Sequence, residues 1–489
     1  MSDSTNEVKL NQIMQHKGIM SNRSDMIKFV LIYVCTLLVA YSLTIVNFLI
    51  FDYQFGVNVY LSIFAVLAVL IATLCIYVVN SRRKLLQKKR TLMAVCFCVV
   101  LAYGVNIYLI EWSPYAMSIA LCAYLISPIT AKRDAFVSNL IVAFMVSFAV
   151  TIFRSALGFE NVFDILGVTL AGILSGSLAS YVVSNNSNRL SFLCWGILFG
   201  AFSFLATLVL MFMSIPDFQI LNNLKENWHI FVIVILGTVI SSQALHPFIE
   251  WGFNILTNTR LIELTSHSSP LIARLMEEAP GTFNHSMAVA NFVEVCAKAI
   301  GENPFMARAA AYYHDVGKLV NPSYFTENQS NNYNPHDELL PEISADIIRR
   351  HTTDGFELCK QHRIPMDIAN ITLEHHGTTV IFGFYSKAKK LTDQEVDAYE
   401  YSYHNPTPKS KIAALIMICD SAEATIRSMA SPDWERVDEL LKKQIEGRIL
   451  TGQFVNCDIT IKELDIVRKT IGSIYGGIFH GRIQYTNTK

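Results

Sequence analysis

The sequence is short of charge. Of its 489 residues only 16% are Asp, Glu, Lys or Arg, against roughly a quarter in soluble globular chains, and 52% are hydrophobic. The signs nearly cancel, with 39 basic and 40 acidic residues, so no global field favours a nucleic-acid polymer as partner. Paired cysteines are missing too. The ten cysteines are scattered, with no CxxC, which argues against a thiolate zinc site or a disulfide framework and fits reduced thiols packed as small hydrophobes. Internal repeats are absent. No cleavable signal peptide is expected, because the first apolar run begins only near Met26 and is too long for one. Strand-like runs are scarce; TVIFGFY after His376 is the best, and it reads equally well as a helix start.

The charge deficit is local. A bilayer core needs about 20 apolar residues per helix, and eight such segments read along the first half, at 27–50, 57–79, 92–111, 115–131, 135–155, 163–184, 190–213 and 229–248. The fourth is short and carries Pro114 and Pro128 near its ends. Basic residues set the orientation. Lys9, Lys17, Arg23 and Lys28, the loop SRRKLLQKKR from Ser81 to Arg90, Lys132 with Arg133, and Arg189 all fall on one side of eight spans. Both termini are then cytoplasmic. Asn106, Glu111 and Arg154 are the intramembrane polar candidates; the simplest reading is that the two charged residues lie at helix ends and Asn106 makes a helix–helix contact.

The domain plan is therefore a tail over 1–26, a membrane region over 27–248, a helical linker over 249–266 and a soluble domain over 267–489. Phe248–Thr265 keeps helical apolar spacing and suggests a continuous rod. Beyond it LIARLMEE, HSMAVANFVEVCAKAIG, FMARAAAYYHDVGKL, PEISADIIRRHTTDGFELCKQH, MDIANITLEHH and KIAALIMICDSAEATIRSM all read as helices. The fold class is all-α throughout. Polar stretches at Asn321–Pro341 and Ser386–Lys411 directly follow site residues and are expected to cover a substrate. The run WERVDELLKKQIEGRIL reads as a surface helix packed on the core.

Seven candidate metal ligands lie in this half: His285, His314, Asp315, His351, His375, His376 and Asp420. Histidine with carboxylate and no thiolate suits divalent ions such as Mn, Fe or Mg. Seven ligands are too many for one ion and suit two ions sharing a carboxylate, a pair that can activate water and clamp an in-line attack on phosphorus. Each residue alone is weak evidence, since a lone His is more often a solvated side chain. Asp420 lies inside the apolar helix ALIMICDSAEA, where a charge is costly unless paired or metal-bound. Gly317 permits close approach, and Lys318 adds a cation that would hold a phosphate or protonate a leaving group. His267, His336, His362, His404 and His480 are left out of the metal shell, His336 being the most plausible outer partner. The first reading from residues alone is a membrane-anchored phosphohydrolase.

The order H…HD…H…HH…D is the pattern of HD-domain metal-dependent phosphohydrolases. The strings APGTFNHSMAVAN, AAYYHDVGKL, EHHGTTVIFGFYSKA and CDSAEATIRS resemble, more narrowly, the seven-transmembrane HD family of bacterial cyclic di-AMP phosphodiesterases. The resemblance implies one metal on His285, His314 and Asp420, the other on His351, His375 and His376, and Asp315 bridging them. It implies Mn or Fe, a metal-bridging hydroxide that cuts cyclic di-AMP to linear 5′-pApA, and an HD domain on the cytoplasmic side of the bacterial inner membrane. Asp315 and Lys318 are the expected catalytic residues, and Arg349, Arg350, Tyr385 and Arg427 the expected substrate contacts. The lipid bilayer and a cyclic dinucleotide are the expected partners, with homo-oligomerisation left open.

Three features qualify the match. Only FDYQFG separates the first two segments, so the resemblance implies a shortened form without the large extracytoplasmic domain usual at that point. HNPTP stands where the family has a Pro-Gly-Pro turn, and Ile412 where it has a glutamate. The related HD-GYP enzymes act on cyclic di-GMP and carry a GYP string that is absent here. Two other readings stay open: a hydrolase of another nucleotide, such as cyclic di-GMP or a linear dinucleotide, and a membrane receptor that binds a nucleotide without cutting it.

Overall fold

The long apolar segments become helices because in a lipid-like interior each backbone polar group must be satisfied within its own segment. The computed structural model describes residues 23–81, 89–112, 118, 120–157, 162–183, 194–198 with scattered positions to 237, 244–329, 333–429 and 434–479. By contact the chain divides into Met1–Thr259 and Arg260–Lys489, so the boundary falls inside the expected linker.

The first unit holds α1 (Arg23–Ile50), α2 (Val57–Ser81), α3 (Lys89–Trp112), α4 (Leu121–Ile126), α5 (Lys132–Leu157) and α6 (Val162–Val183). Four of these, α1, α2, α3 and α5, are long and apolar enough to cross a membrane. Helix α1 packs on α2 and α3, and α5 packs on α2, α3, α4 and α6. Leu67, Leu74, Leu92, Tyr103 and Ile107 are fully buried among them, while Leu31, Leu38, Leu61 and Val69 face outward, each more than half exposed. An exposed apolar face of this size suits lipid rather than water.

The expected fourth span, 115–131, is not a membrane-length helix among the described residues. Only Leu121–Ile126 is helical, and its side chains are all buried. Pro128 supplies no N–H and crowds the preceding turn. Upstream, Asn106 closes the opened backbone. Its Nδ2 donates to the Ser118 carbonyl at 3.2 Å, and the Ser118 N–H donates to its Oδ1 at 2.8 Å. Asn139 serves the same helix from the other side, accepting from the Ala123 N–H and donating to the Gly172 carbonyl. Glu111 lies in the last turn of α3 and accepts from the Tyr53 hydroxyl at 2.8 Å. The expected seventh and eighth spans, much of the basic loop after α2, Arg189, the Arg154 side chain and the N-terminal tail lie largely outside the described residues.

The expected rod Phe248–Thr265 is broken. Residues 244–253 are helical, and the helix ends at Asn254 with φ +49°. Asparagine tolerates this left-handed conformation, and the Ile255 N–H returns to the Glu250 carbonyl at 2.9 Å. Helix α7 (Asn258–Leu264) follows.

The second unit is all-α. Its helices are α8 (Pro270–Glu278), α9 (Pro280–Ala299), α10 (Pro304–Tyr313), α11 (Pro341–Gln361), α12 (Met366–Glu374), α13 (Phe382–Leu391), α14 (Lys411–Ser428), α15 (Trp434–Leu450) and α16 (Ile461–Phe479). Helix α9 is central and packs on α8, α10, α14 and α16. Ala307, Ala309, Ala310 and Ala311 let α10 approach closely. Asn303 caps α10 by accepting from the N–H groups of Phe305 and Met306, and Ser410 caps α14. TVIFGFY splits between its two readings: Val380 makes an isolated antiparallel bridge with Ser402, and α13 starts at Phe382.

Candidate metal centre

Six pieces of chain deliver the centre. His285 lies in the second turn of α9, and His314 closes α10. Asp315 precedes a short 3-10 turn, Val316–Val320, that carries Lys318. His351 sits midway along α11, His375 closes α12 with His376 next, and Asp420 is on α14. The turn after Asp315 packs backbone to backbone on α11. A Cβ on Gly317 would fall 1.9 Å from the His351 carbonyl oxygen, so glycine is required there to seat the two ligand-bearing segments together.

The seven expected ligands come together. His285, His314 and Asp420 form one group, and Asp315, His351, His375 and His376 another; within each, candidate ligand atoms lie within 4.8 Å of one another. Asp315 joins them. Its Oδ2 is 3.3 Å from His314 Nε2 and 3.6 Å from His285 Nε2, while its Oδ1 is 3.4 Å from His351 Nε2 and 3.7 Å from His375 Nε2.

Hydrogen bonds on the far ring nitrogens fix the imidazoles. The Nδ1 atoms of His314, His351 and His375 meet the carbonyl oxygens of Ala311, Ile348 and Thr372 at 2.7, 2.5 and 2.9 Å. A carbonyl can only accept, so each Nδ1 carries a proton and each Nε2 is the ring atom turned inward. His285 differs: its Nδ1 meets Glu423 Oε2 at 2.5 Å, and its Nε2 lies 3.0 Å from Asp420 Oδ1. The ring of His376 stacks on Tyr403 at 4.3 Å.

The electrostatics match that division. Burial holds His351 neutral, down to about 3, and holds His376 well below the ordinary histidine value. Burial would lower His285 as well, but its hydrogen bonds to Asp420 and Glu423 outweigh it and raise it to about 10. Asp315 is fully buried, which would raise it, yet the neighbouring His314 and Lys318 hold it well below the carboxylate range. Lys318 Nζ is 2.8 Å from Asp315 Oδ2 and 2.6 Å from Glu327 Oε1, and those carboxylates overcome burial to keep it charged.

The donor set fits divalent cations. His314 Nε2 and Asp315 Oδ1 are buried and make no hydrogen bond with the protein. Buried polar atoms without partners are rare and costly, and these two are candidate ligand atoms, one in each group. Neutral imidazole and ionised carboxylate are the forms that bind metal.

The expected substrate contacts are placed unevenly. Arg349 donates to the carbonyl oxygens of Ser402 and Glu400 at 2.9 and 2.5 Å, so it holds the segment that lays Tyr403 on His376. Arg350 is exposed and pairs with Asp346. Tyr385 packs beside Tyr401 with Lys389 over its ring. Arg427 is half exposed, 3.7 Å from Glu423. His336 stays out of the ligand groups; its Nε2 meets the Tyr324 carbonyl, and its ring lies against Phe384.

Four contributors escaped the sequence reading. Glu423 stands three residues after Asp420, on the same helical face, and that spacing was its signal. Glu327 belongs to the polar stretch after the HD pair, a run of short turns keyed onto the start of α9. Thr282 donates its N–H to Asn328 Oδ1 and its hydroxyl to Glu327 Oε1, and Gly281 leaves no room for a Cβ against the Glu327 carbonyl. Tyr403 lies in the second stretch, which Asn405 ties to Thr352 and the Lys409 N–H ties to the buried Glu374. Gln453, just beyond α15, accepts from the Thr378 N–H at 3.1 Å and so braces the turn after His376.

Comparison with known proteins gives a consistent frame. Residues 57–257 match the family model described as "7TM receptor with intracellular HD hydrolase", and residues 282–425 match the HD domain model. The chain is 39% identical over 323 residues to the cyclic-di-AMP phosphodiesterase PgpH of Listeria monocytogenes, covering 66% of this chain and 45% of that protein. It is 46% identical over 241 residues to PgpH of Bacillus subtilis, covering 49% and 34%. The solved HD domain of L. monocytogenes PgpH in complex with cyclic di-AMP is 47% identical, covering 44% of this chain and 100% of that one, with a TM-score of 0.42. The chain spans less than half the length of the curated relatives it matches.

Proposed function

Because the chain belongs to the family of 7TM receptors with an intracellular HD hydrolase, we propose that it is a membrane-anchored, metal-dependent phosphodiesterase that opens cyclic di-AMP to linear 5′-pApA. The observation that carries the chemistry is Asp315, whose two carboxylate oxygens face two separate groups of inward-pointing ligand atoms. The adenine dinucleotide is supported by the two relatives named as cyclic-di-AMP phosphodiesterases.

In this reading His285, His314 and Asp420 hold one cation, His351, His375 and His376 hold another, and Asp315 is shared. The mixed nitrogen and oxygen donors suit Mn or Fe. Such cations, when bound, polarise a phosphoryl oxygen and acidify water. The chain's own residues do the rest. The carbonyl-anchored imidazoles keep their Nε2 atoms inward without reorganisation. Lys318, kept charged by Asp315 and Glu327, stands beside the shared carboxylate, where it would meet a phosphate oxygen while keeping its proton. Arg349 positions Tyr403 and the covering segment; Arg350, Arg427 and Tyr385 remain candidates for the outer rim of the substrate.

The membrane orientation rests on charge. Lys89, Arg90, Lys132 and Arg133 open α3 and α5, and Phe253 leaves the first unit against Phe97, near the same end of α3. The positive-inside rule then puts that end, and the chain continuing to the HD unit, on the cytoplasmic face of a bacterial inner membrane.

The test uses the full chain in lipid nanodiscs with Mn, given cyclic di-AMP and cyclic di-GMP side by side, against Asp315→Ala. Cleavage of the adenine dinucleotide alone, lost in the variant, is the expected result. A folded, metal-loaded chain that leaves both intact would sink the proposal.

A further inference from the structure

The two ligand groups are not electrostatic equals. Three of the histidines give their outer nitrogen to a backbone carbonyl, whereas His285 gives it to Glu423, a buried carboxylate at 2.5 Å. Glu423 lies one helical turn after Asp420 on α14, so a single helix supplies one ligand and the anion behind another. Carboxylates thus surround the His285 position on three sides: Asp420, the shared Asp315 and Glu423.

The other position has three imidazoles and Asp315 alone. Behind His351 and His375 stand neutral carbonyls, and behind His376 lies the flat ring of Tyr403. Lys318 offsets part of the negative charge at Asp315, but Glu327 neutralises it in turn. Arg427, 3.7 Å from the other oxygen of Glu423, is half exposed and therefore screened; the partly buried Arg448 of α15 acts on Asp420 and offsets part of its charge, leaving Glu423 as the uncompensated anion behind His285. A carboxylate behind a ligating imidazole raises its donor strength and fixes its orientation, and the effect of charge is large where water is excluded.

We infer that Glu423 is a positioning residue that makes the two cation positions unequal, the His285–His314–Asp420 position holding its ion tightly and the His351–His375–His376 position exchanging it. This rests on reading the centre as dinuclear.

The experiment strips the full chain with a chelator and titrates Mn²⁺ by calorimetry, with electron paramagnetic resonance on the same samples. The wild type should show two classes of binding, one per position. Glu423→Gln keeps the shape and leaves an oxygen to accept from His285 Nδ1, but removes the charge. It should weaken the tighter class by about 10–100-fold, leave the weaker class in place, and, at one equivalent of Mn²⁺, replace much of the wild type's single-ion bound signal with the signal of free Mn²⁺. Glu423→Asp keeps the charge and should retain more of the tighter class than Glu423→Gln; circular dichroism confirms that both variants fold. Equal classes in the wild type, no bound metal, or a Glu423→Gln effect that is nil or shared by both classes would overturn the inference. Turnover of cyclic di-AMP by the same preparations separates the questions: unequal classes without turnover count against the proposed function only, and turnover with equal classes counts against Glu423 only.

Discussion

Asn106 in the membrane unit and His314 in the HD unit are both fully buried polar side chains, used in opposite ways. Asn106 spends its amide on the N–H and carbonyl of Ser118, ahead of the short α4, and on the Ala102 carbonyl of its own helix. His314 anchors one nitrogen on the Ala311 carbonyl and leaves the other, buried, with no hydrogen bond to the protein. The first pattern closes local accounts and needs nothing further. The second is incomplete as it stands, and Asp315, which joins the two ligand groups, likewise keeps a buried oxygen without a hydrogen bond. A buried polar group that is satisfied speaks of structure, and several left unsatisfied toward a common point speak of a ligand.

The change that breaks the comparison hardest is Asp315→Ala. If the HD unit is incomplete because it awaits cations, removing the carboxylate that faces both groups should empty both positions. Turnover should fall by about 10⁴-fold or more, as for removal of one member of a catalytic unit. Metal analysis of the purified variant decides it; a variant that keeps both ions would show that Asp315 is not shared.

Next in size is Gly317→Ala. The added Cβ meets the His351 carbonyl oxygen at 1.9 Å and the Gly355 nitrogen at 2.4 Å, backbone atoms that cannot step aside. Overpacking of this kind costs about 1–3 kcal/mol. Thermal unfolding should show the HD unit melting earlier, and turnover should drop because His351 and Asp315 are pushed apart. An unchanged Tm would mean that the turn and α11 are less tightly seated than these contacts indicate.

These two residues were legible in the sequence, and the reason is physical. Histidines and aspartates inside apolar helical runs are expensive unless they pair or bind metal, so HDVGK, HHG and CDS stood out without coordinates. Glu327 did not, because its place depends on a loop keyed to Gly281 and Thr282 some 45 positions earlier in the chain, a long-range fit that no local pattern encodes. The apolar helices of the membrane unit were legible from length and hydropathy. The short α4 was not, since a run interrupted by proline looks on paper like a poor span rather than a short buried helix served by Asn106 and Asn139. The supposed rod after Phe248 failed at Asn254, one residue whose left-handed backbone ends the helix.

A smaller effect concerns pH in chelated protein. His285 stands at about 10 in the folded chain, above its ordinary value near 6.5. A raised value means that its stabilising contribution is fully present below 6.5 and is lost as pH rises toward 10. His351 stands at about 3. A depressed value means the reverse, with stability lost as pH falls from 6.5 toward 3. The metal-free HD unit should therefore be most stable near neutrality and weaken on both sides, the alkaline limb being blunted by added divalent cation, which takes over the role of the proton on His285. Melting in EDTA across pH 5 to 9 checks this; a flat profile would remove the electrostatic half of the comparison.

The smallest effect is the most discriminating. Asn106→Leu removes the donor and the acceptor that hold Ser118, and should cost the membrane unit on the order of 1 kcal/mol, the scale of buried side-chain hydrogen bonds in membrane proteins. Leucine offers Ser118 neither a donor nor an acceptor, so the loss should appear as faster hydrogen exchange at Ser118 and α4. If Asn106 only closes local accounts, turnover at the HD centre in nanodiscs should be unchanged. A change in kcat without a change in bound metal would mean that the packing around α4 biases the HD unit through the chain between Phe253 and α7. The helix break at Asn254 would then be the joint through which a receptor-like bundle acts on its hydrolase, and the contrast between Asn106 and His314 would have to yield to a single coupled system.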